Sequence, residues 1–213
     1  MNFDIFLKSI SKIKHIPLPG HASQMKMSPK YRNELIEKQR ELRKYSRKAS
    51  VMALFYPDHD NTTMLILILR KTYKGVHSAQ VGFPGGKLEP EDPSLEYAAL
   101  RETFEEVGVP INDIKVIRAL TDLYIPPSNF TVYPFFGVTL KTPRFLKQDD
   151  EVEDLIEVTL NDFMNDAHVS SQMLMTSLGK EVEVPVFKLN GHTVWGATAM
   201  MLSEIKDLLK NVL

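Results

Sequence analysis

The stretch GGKLEPEDPSLEYAALRETFEEVG, residues 85–108, decides how this chain is read. A helix turns about 100° per residue, so Glu102, Glu105 and Glu106, at i, i+3 and i+4, share one face. Ala99, Leu100, Thr103, Phe104 and Val107 fall on a mostly apolar stripe roughly opposite, free to enter a core. Pro93 suits the first turn of that helix and Gly108 its C-terminal stop. Like charges at this spacing cost about a few tenths of a kcal/mol per pair. A cation held among them turns the cost into binding, and hard divalent ions such as Mg²⁺ take carboxylate oxygens. A solvated acidic face is the plain alternative for any glutamate-rich helix. The residues before this one, beginning with the Gly/Pro loop GFPGGK (82–87), move the reading toward a site.

The rest of the chain narrows the class. Its 213 residues suffice for one large domain, or one domain with an extension. Hydrophobic residues make up 43% and charged residues 25%, a globular balance. A formal net charge of -1 provides no global field for nucleic acid or anionic membrane. The absence of cysteine excludes disulfides, thiolate metal sites and cysteine nucleophiles, and it suits a reducing, cytoplasmic setting. The first residues, MNFDIFLKSISKIKHIPLPG, are interrupted by Asp4, Lys8 and Lys12 and lack a signal-peptide core. No apolar run approaches membrane-spanning length.

Residues 2–14 carry Phe3, Ile5, Phe6, Ile10 and Ile13, which predicts a short amphipathic helix ended by IPLPG (16–20). The Lys/Arg-rich segment 30–46 predicts a second, exposed helix. Its charge could meet phosphate or RNA, but it lacks the interleaved aromatics of a stacking platform and reads as a solvated face. VMALFY (51–56) and MLILILR (64–70), linked by a turn-rich segment, predict a buried hairpin. Further strands are expected over 114–124, 131–140, about 151–158, 171–177 and 182–188, with a short helix near 160–165. WGATAMMLSEIKDLLKNVL (195–213) predicts a C-terminal amphipathic helix. The expected organisation is a helical extension over 1–49 and one domain over 50–213. That domain is of the α/β (α+β) class, a mixed β-sheet between helices.

Residues 85–108 resemble the Nudix box, G-x5-E-x7-R-E-U-x-E-E-x-G-U, with U aliphatic. Arg101, Glu102, Glu105, Glu106, Gly108 and Val109 match its tail. Asp92 stands in place of the first glutamate, with one extra residue before Arg101, and Thr103 takes an aliphatic position. The resemblance implies an α/β/α sandwich and hydrolysis of a nucleoside diphosphate derivative. It implies Mg²⁺ or Mn²⁺ held by Glu102, Glu105, Glu106 and the carbonyl of Gly85. It also implies that Arg101 orients a glutamate and that catalysis involves Arg101, Glu102 and Glu105. Glu151, in QDDEVEDLIEV (148–158), occupies the place of a further base or metal ligand; Asp149, Asp150 and Glu153 read as a solvated turn.

LILRKTYKGVHSAQVGFPGG (67–86) is similar to a segment of the coenzyme A pyrophosphatase-like branch. Arg70, His77, Gln80, Val81, Phe83, Pro84, Gly85 and Gly86 match at its intervals, and Trp195–Ala199 carry a further likeness. The resemblance implies substrate contacts from Arg70, Lys74, His77, Gln80 and Phe83. The branch's second arginine falls on Gly75, which shifts that charge to Lys71 or Lys74. Trp195 reads as core. Expected substrates are coenzyme A or an acyl derivative. The alternatives are ADP-ribose, a dinucleotide or, in another class, a non-catalytic binding module. The expected partner is a small molecule, with no membrane or nucleic acid, and a homodimer is the default oligomer.

Overall fold

Two strands whose residues are apolar on both faces form the centre of the molecule. In a computed structural model, described for residues 1–71, 80–175, 179 and 181–213, β1 covers Arg47–Pro57 and β2 covers Thr63–Arg70. They pair antiparallel, with Phe55 opposite Leu65. Met52, Leu54 and Tyr56 point to one side with Met64, Ile66 and Ile68, whereas Ala53, Phe55, Leu65 and Leu67 point to the other. A sheet buried on both faces needs such continuous apolar runs, because successive side chains alternate between layers.

Ahead of these strands come α1 (Phe3–Ile10), α2 (Gly20–Met25), α3 (Arg32–Lys38) and α4 (Arg40–Arg43). After them follow β3 (Val81–Gly82), β4 (Gly85–Lys87) and α5 (Leu95–Val107). Next are β5 (Ile114–Ala119), β6 (Leu123–Ile125), β7 (Phe130–Thr139) and β8 (Val152–Thr159). The chain continues through α6 (Leu160–Met164), β9 (Val169–Met175), β10 (Glu181–Leu189), β11 (His192–Val194) and α7 (Gly196–Lys210). The main sheet runs β3-β2-β1-β7-β5, with β4 on β1, β6 on β7 and β8 on β2. The β1–β7 pair is parallel and the other pairs are antiparallel, so the sheet is mixed, as expected. β9, β10 and β11 form a separate antiparallel sheet. Helix α5 covers one face of the main sheet, while α1 and α7 pack into the core on the other. Among the described residues, no helix is long and apolar enough to cross a membrane.

The N-terminal segment is built into this core. Phe6 stacks within 5.2 Å of Phe55 and 6.4 Å of Phe136, measured between ring centroids. Helix α2 docks on α7 through Gln24, whose Nε2 donates to Glu204 Oε2 at 2.9 Å and to the Thr121 carbonyl at 2.9 Å. Ser203 Oγ donates to the Ser23 carbonyl at 2.7 Å, and Asp207 accepts from both Ser23 and Lys26. Buried polar groups satisfied in this way fix one docking geometry.

Several boundaries differ from the sequence reading. Segment 30–46 is two short helices, broken at Gln39, and Arg32 is buried rather than exposed. The run 114–124 divides into β5 and β6 around Leu120–Asp122, where Leu120 N–H bonds the Pro134 carbonyl. Pro93 lies just outside α5, and Ser94 caps it by accepting from the Tyr97 N–H at 3.0 Å. Phe104 is half exposed, while Glu106 takes an inward position. The buried face of α5 runs through Ala99, Thr103 and Glu106, at i, i+4 and i+7.

Candidate active site

Strand β4 holds the glycine loop against both β1 and α5. Gly85 pairs with Val51 and Gly86 with Ser50. A Cβ on Gly85, where φ is +152°, would lie 2.3 Å from the Ser50 carbonyl oxygen. A Cβ on Gly86 would lie 2.3 Å from the carboxyl carbon of Glu102. Only glycine lets the loop lie this close to the strand on one side and to an α5 carboxylate on the other.

Arg101 ties loop and helix together. Its Nε and Nη2 donate to the two oxygens of Asp92, both at 2.9 Å, a two-point ion pair. Nη2 also donates to the Lys87 carbonyl at 3.1 Å. Nη1 donates to Glu102 Oε1 at 3.1 Å and to Glu105 Oε2 at 3.0 Å. Hydrogen bonding to Arg101 holds the Asp92 carboxyl below its ordinary range and raises the guanidinium further. Asp92 is the residue that departs from the box in type and spacing. It sits on the guanidinium fork, and its role here is to aim Arg101. Thr103, the other departure, donates to the Ala99 carbonyl at 2.6 Å, so its buried hydroxyl is satisfied within the helix.

Glu106 is almost fully buried. Its Oε2 accepts from the Gly85 N–H at 2.7 Å. Its Oε1 lies 3.2 Å from Arg70 Nη2 yet has no hydrogen bond of proper geometry. Arg70 Nη1 donates in turn to the Gly85 carbonyl at 3.2 Å. Burial pushes the Glu106 carboxyl up to about 7, opposed by Arg70 and the Gly85 N–H and reinforced by Glu102 and Glu151. Burial also raises Glu102, opposed by Arg101 and reinforced by Glu105 and Glu151.

Glu151 is exposed in the turn before β8, but its charge is felt at both buried glutamates. Its segment is fastened to the end of α5: Leu146 N–H bonds the Val107 carbonyl at 3.0 Å, and Gln148 N–H bonds the Glu106 carbonyl at 3.1 Å. Asp149 instead pairs with Lys147 at 3.0 Å.

The donor set suits a hard divalent cation. Glu106 Oε1 is a buried acceptor without a hydrogen bond, burial raises the carboxyls of Glu106 and Glu102, and the Gly85 carbonyl supplies a neutral oxygen. Among the described residues, no three carboxylates or imidazoles yet converge on one point. Arg101 and Arg70 hold them through individual ion pairs instead.

Beside this site lies a cavity of about 280 Å³. Arg70, Gln80, Phe83, Gly85 and Gly86 line it, which brings three of the expected substrate-contacting residues to one wall. Lys74 and His77 lie outside the described residues. Trp195 is half-buried and also lines the cavity with Gly196–Thr198 of α7, a wall position rather than the expected core position. The remaining walls, from Tyr31 and Arg32 and from Ile125–Pro127 and Phe130, were not indicated by the sequence.

A family model, the NUDIX domain, matches residues 46–176, and the chain belongs to the Nudix family. It is 31% identical over 139 residues to a probable Nudix hydrolase of Schizosaccharomyces pombe, covering 65% of this chain and 48% of that protein. The chain thus spans about half the length of that relative. It is also 31% identical over 141 residues to an uncharacterized Nudix hydrolase, NudL, of Yersinia pestis, covering 66% of this chain and 70% of the relative. Among solved structures, the Nudix hydrolase RenU of M. smegmatis superposes with a TM-score of 0.55 at 13% identity, covering 79% of this chain and 88% of that one. This likeness shows the fold.

Proposed function

We propose that this chain hydrolyses the diphosphate of coenzyme A or an acyl derivative, giving 3',5'-ADP and (acyl-)4'-phosphopantetheine, in the cytoplasm. One observation carries the reading. The two stretches that resemble the coenzyme A branch, 67–86 and 195–199, stand far apart in sequence yet line the same cavity, through Arg70, Gln80 and Phe83 and through Trp195–Thr198. Gly85 and Gly86 also line that cavity, and the Gly85 N–H bonds Glu106. Glu102, Glu105 and Glu106, with the Gly85 carbonyl and Glu151, are the residues that would hold Mg²⁺ or Mn²⁺. A bound divalent ion supplies Lewis-acid stabilisation of charge on the nonbridging oxygens and lowers the pKa of water. The chain's own residues provide the rest. Arg101 fixes the Glu102 and Glu105 rotamers through Asp92, so the carboxylates are placed before substrate arrives. Glu151 is the candidate base, an exposed carboxylate whose field reaches the buried pair. Gly75 in place of the branch's second arginine favours a second reading, a broader hydrolase of nucleoside diphosphate derivatives such as ADP-ribose or dinucleotides. A screen of coenzyme A, dephospho-coenzyme A, ADP-ribose and dinucleotides with each metal, products identified by mass, decides between them. Coenzyme A as the best substrate is the expected result, and turnover of ADP-ribose or a dinucleotide in its place overturns it.

A further inference from the structure

Arg32 is buried, 9% exposed, in the wall of the cavity, and no carboxylate among the described residues pairs with it. Its Nη2 donates to the Tyr124 carbonyl, and its Nε has no hydrogen-bond partner. Buried guanidinium groups are ordinarily paired, because an uncompensated charge away from water is costly. A second guanidinium is close: Arg43 lies over the Tyr124 ring, 5.5 Å from its centroid. Burial, and to a lesser extent the charge of Arg43, press the Arg32 pKa down to about 10. Arg70, Gln80 and Lys87 also line the cavity, and much of the rest of its lining is apolar or aromatic, with Tyr31, Phe83, Phe130 and Trp195 among it. The first turn of α7 also opens onto it, and no side chain caps that turn. The partial positive charge of a helix N-terminus adds to that of the arginine.

We propose that Arg32 determines specificity by binding a phosphate monoester on the nucleoside half of the substrate, which lies in this cavity with its diphosphate at the Gly85–Gly86 loop. The inference rests on the reading of that loop as the hydrolytic site. Flat apolar walls suit a base, and a fork of N–H donors suits a terminal phosphate. The N-terminal segment thereby becomes part of the active site, and Arg32, rather than Lys71 or Lys74, supplies the charge of the branch's second arginine.

The test is calorimetric binding of 3',5'-ADP and 5'-AMP to the full chain in EDTA, for wild type, Arg32→Gln, Arg32→Lys and Lys74→Ala. Wild type is expected to hold 3',5'-ADP tighter by about tenfold or more, the worth of charge-assisted hydrogen bonds. Arg32→Gln should bring the ratio near one with 5'-AMP affinity kept. Arg32→Lys should retain part of the ratio, and Lys74→Ala should leave it intact. If Arg32→Gln does not fold, hydrogen exchange on wild type still decides: 3',5'-ADP, and not 5'-AMP, should protect residues 29–35. A wild-type ratio near one, an unchanged ratio in Arg32→Gln, collapse in Lys74→Ala alone, or absent protection of 29–35 each overturns the proposal. Wild type that cleaves coenzyme A without distinguishing the two nucleotides removes the Arg32 proposal alone. Wild type that distinguishes them through Arg32 but cleaves no coenzyme A removes the substrate assignment alone.

Discussion

Glu106→Gln, followed by thermal unfolding across pH, tests whether the inward glutamate is the buried, ionisable centre of the site. The side chain is 1% exposed, with one oxygen on the Gly85 N–H and the other facing Arg70. Burial lifts its carboxyl from the ordinary 4.5 to about 7. In the unfolded chain it releases its proton near 4.5, whereas in the fold it holds the proton until about 7. The group's contribution to stability is therefore full below the lower value and is lost as pH rises through the upper one. At about 1.4 kcal/mol per pH unit, the interval is worth roughly 3 kcal/mol. For a chain of this size that corresponds to about 6–12 °C in Tm. Glutamine keeps the shape and cannot titrate, and its amide facing Arg70 adds an offset that does not depend on pH. In EDTA, the wild-type Tm measured relative to Glu106→Gln should fall from about pH 4.5 to about pH 7 and level off above that. Mg²⁺ binding requires the ionised carboxylate, so at pH 8 Mg²⁺ should raise the wild-type Tm and leave the variant nearly unmoved. Turnover by the variant should drop by orders of magnitude. Parallel Tm–pH curves, or equal stabilisation of both proteins by Mg²⁺, would refute the assignment.

Arg101→Lys replaces the fork that joins Asp92, Glu102, Glu105 and the Lys87 carbonyl with a single ammonium. It should cost roughly 2 kcal/mol in chemical denaturation and lower kcat more than it raises KM. Gly86→Ala should leave a folded protein, since the added Cβ meets the movable end of Glu102, but displacing that carboxylate should reduce turnover by about a hundredfold. Gly85→Ala meets Ser50 backbone at 2.3 Å and should fail to fold, which circular dichroism distinguishes from the Gly86 result. Glu151→Gln should lower kcat, while Asp149→Asn, which loses only an exposed pair with Lys147, should leave it near wild type; equal small effects would make the segment a solvated turn.

Much of the site was legible because it is local. Glu102, Glu105 and Glu106 share a helix, and helical spacing alone groups them. The two-sided burial of β1 and β2 was equally readable, since apolar runs bounded by a turn leave few other structures. What periodicity could not decide was rotation about the helix axis. Phe104 and Glu106 are two positions apart, and hydropathy assigns the phenylalanine inward. The fold does the opposite because the Gly85 N–H and Arg70 wait beneath Glu106, and both come from outside the helix. The split of 114–124 is of the same kind, being set by β7 partners.

Arg32 marks where local reading ends. Its neighbours, Tyr31-Arg-Asn-Glu-Leu-Ile-Glu-Lys38, form a charged segment whose own chemistry suits water. Its burial is decided by the Tyr124 carbonyl, 92 positions later, and by the docking of α2 on α7 through Gln24 and Glu204. Those contacts place the segment in the wall of a cavity also lined from β1, β2, β3, β4, the β6–β7 connection and the start of α7. A carboxylate box can be carried by one helix and one loop, because its residues are local in sequence. The cavity beside it is lined by side chains from stretches far apart in the sequence. A carboxylate box is therefore visible in a single sequence, whereas the burial of Arg32 in a cavity wall becomes visible only when the chain has closed around it.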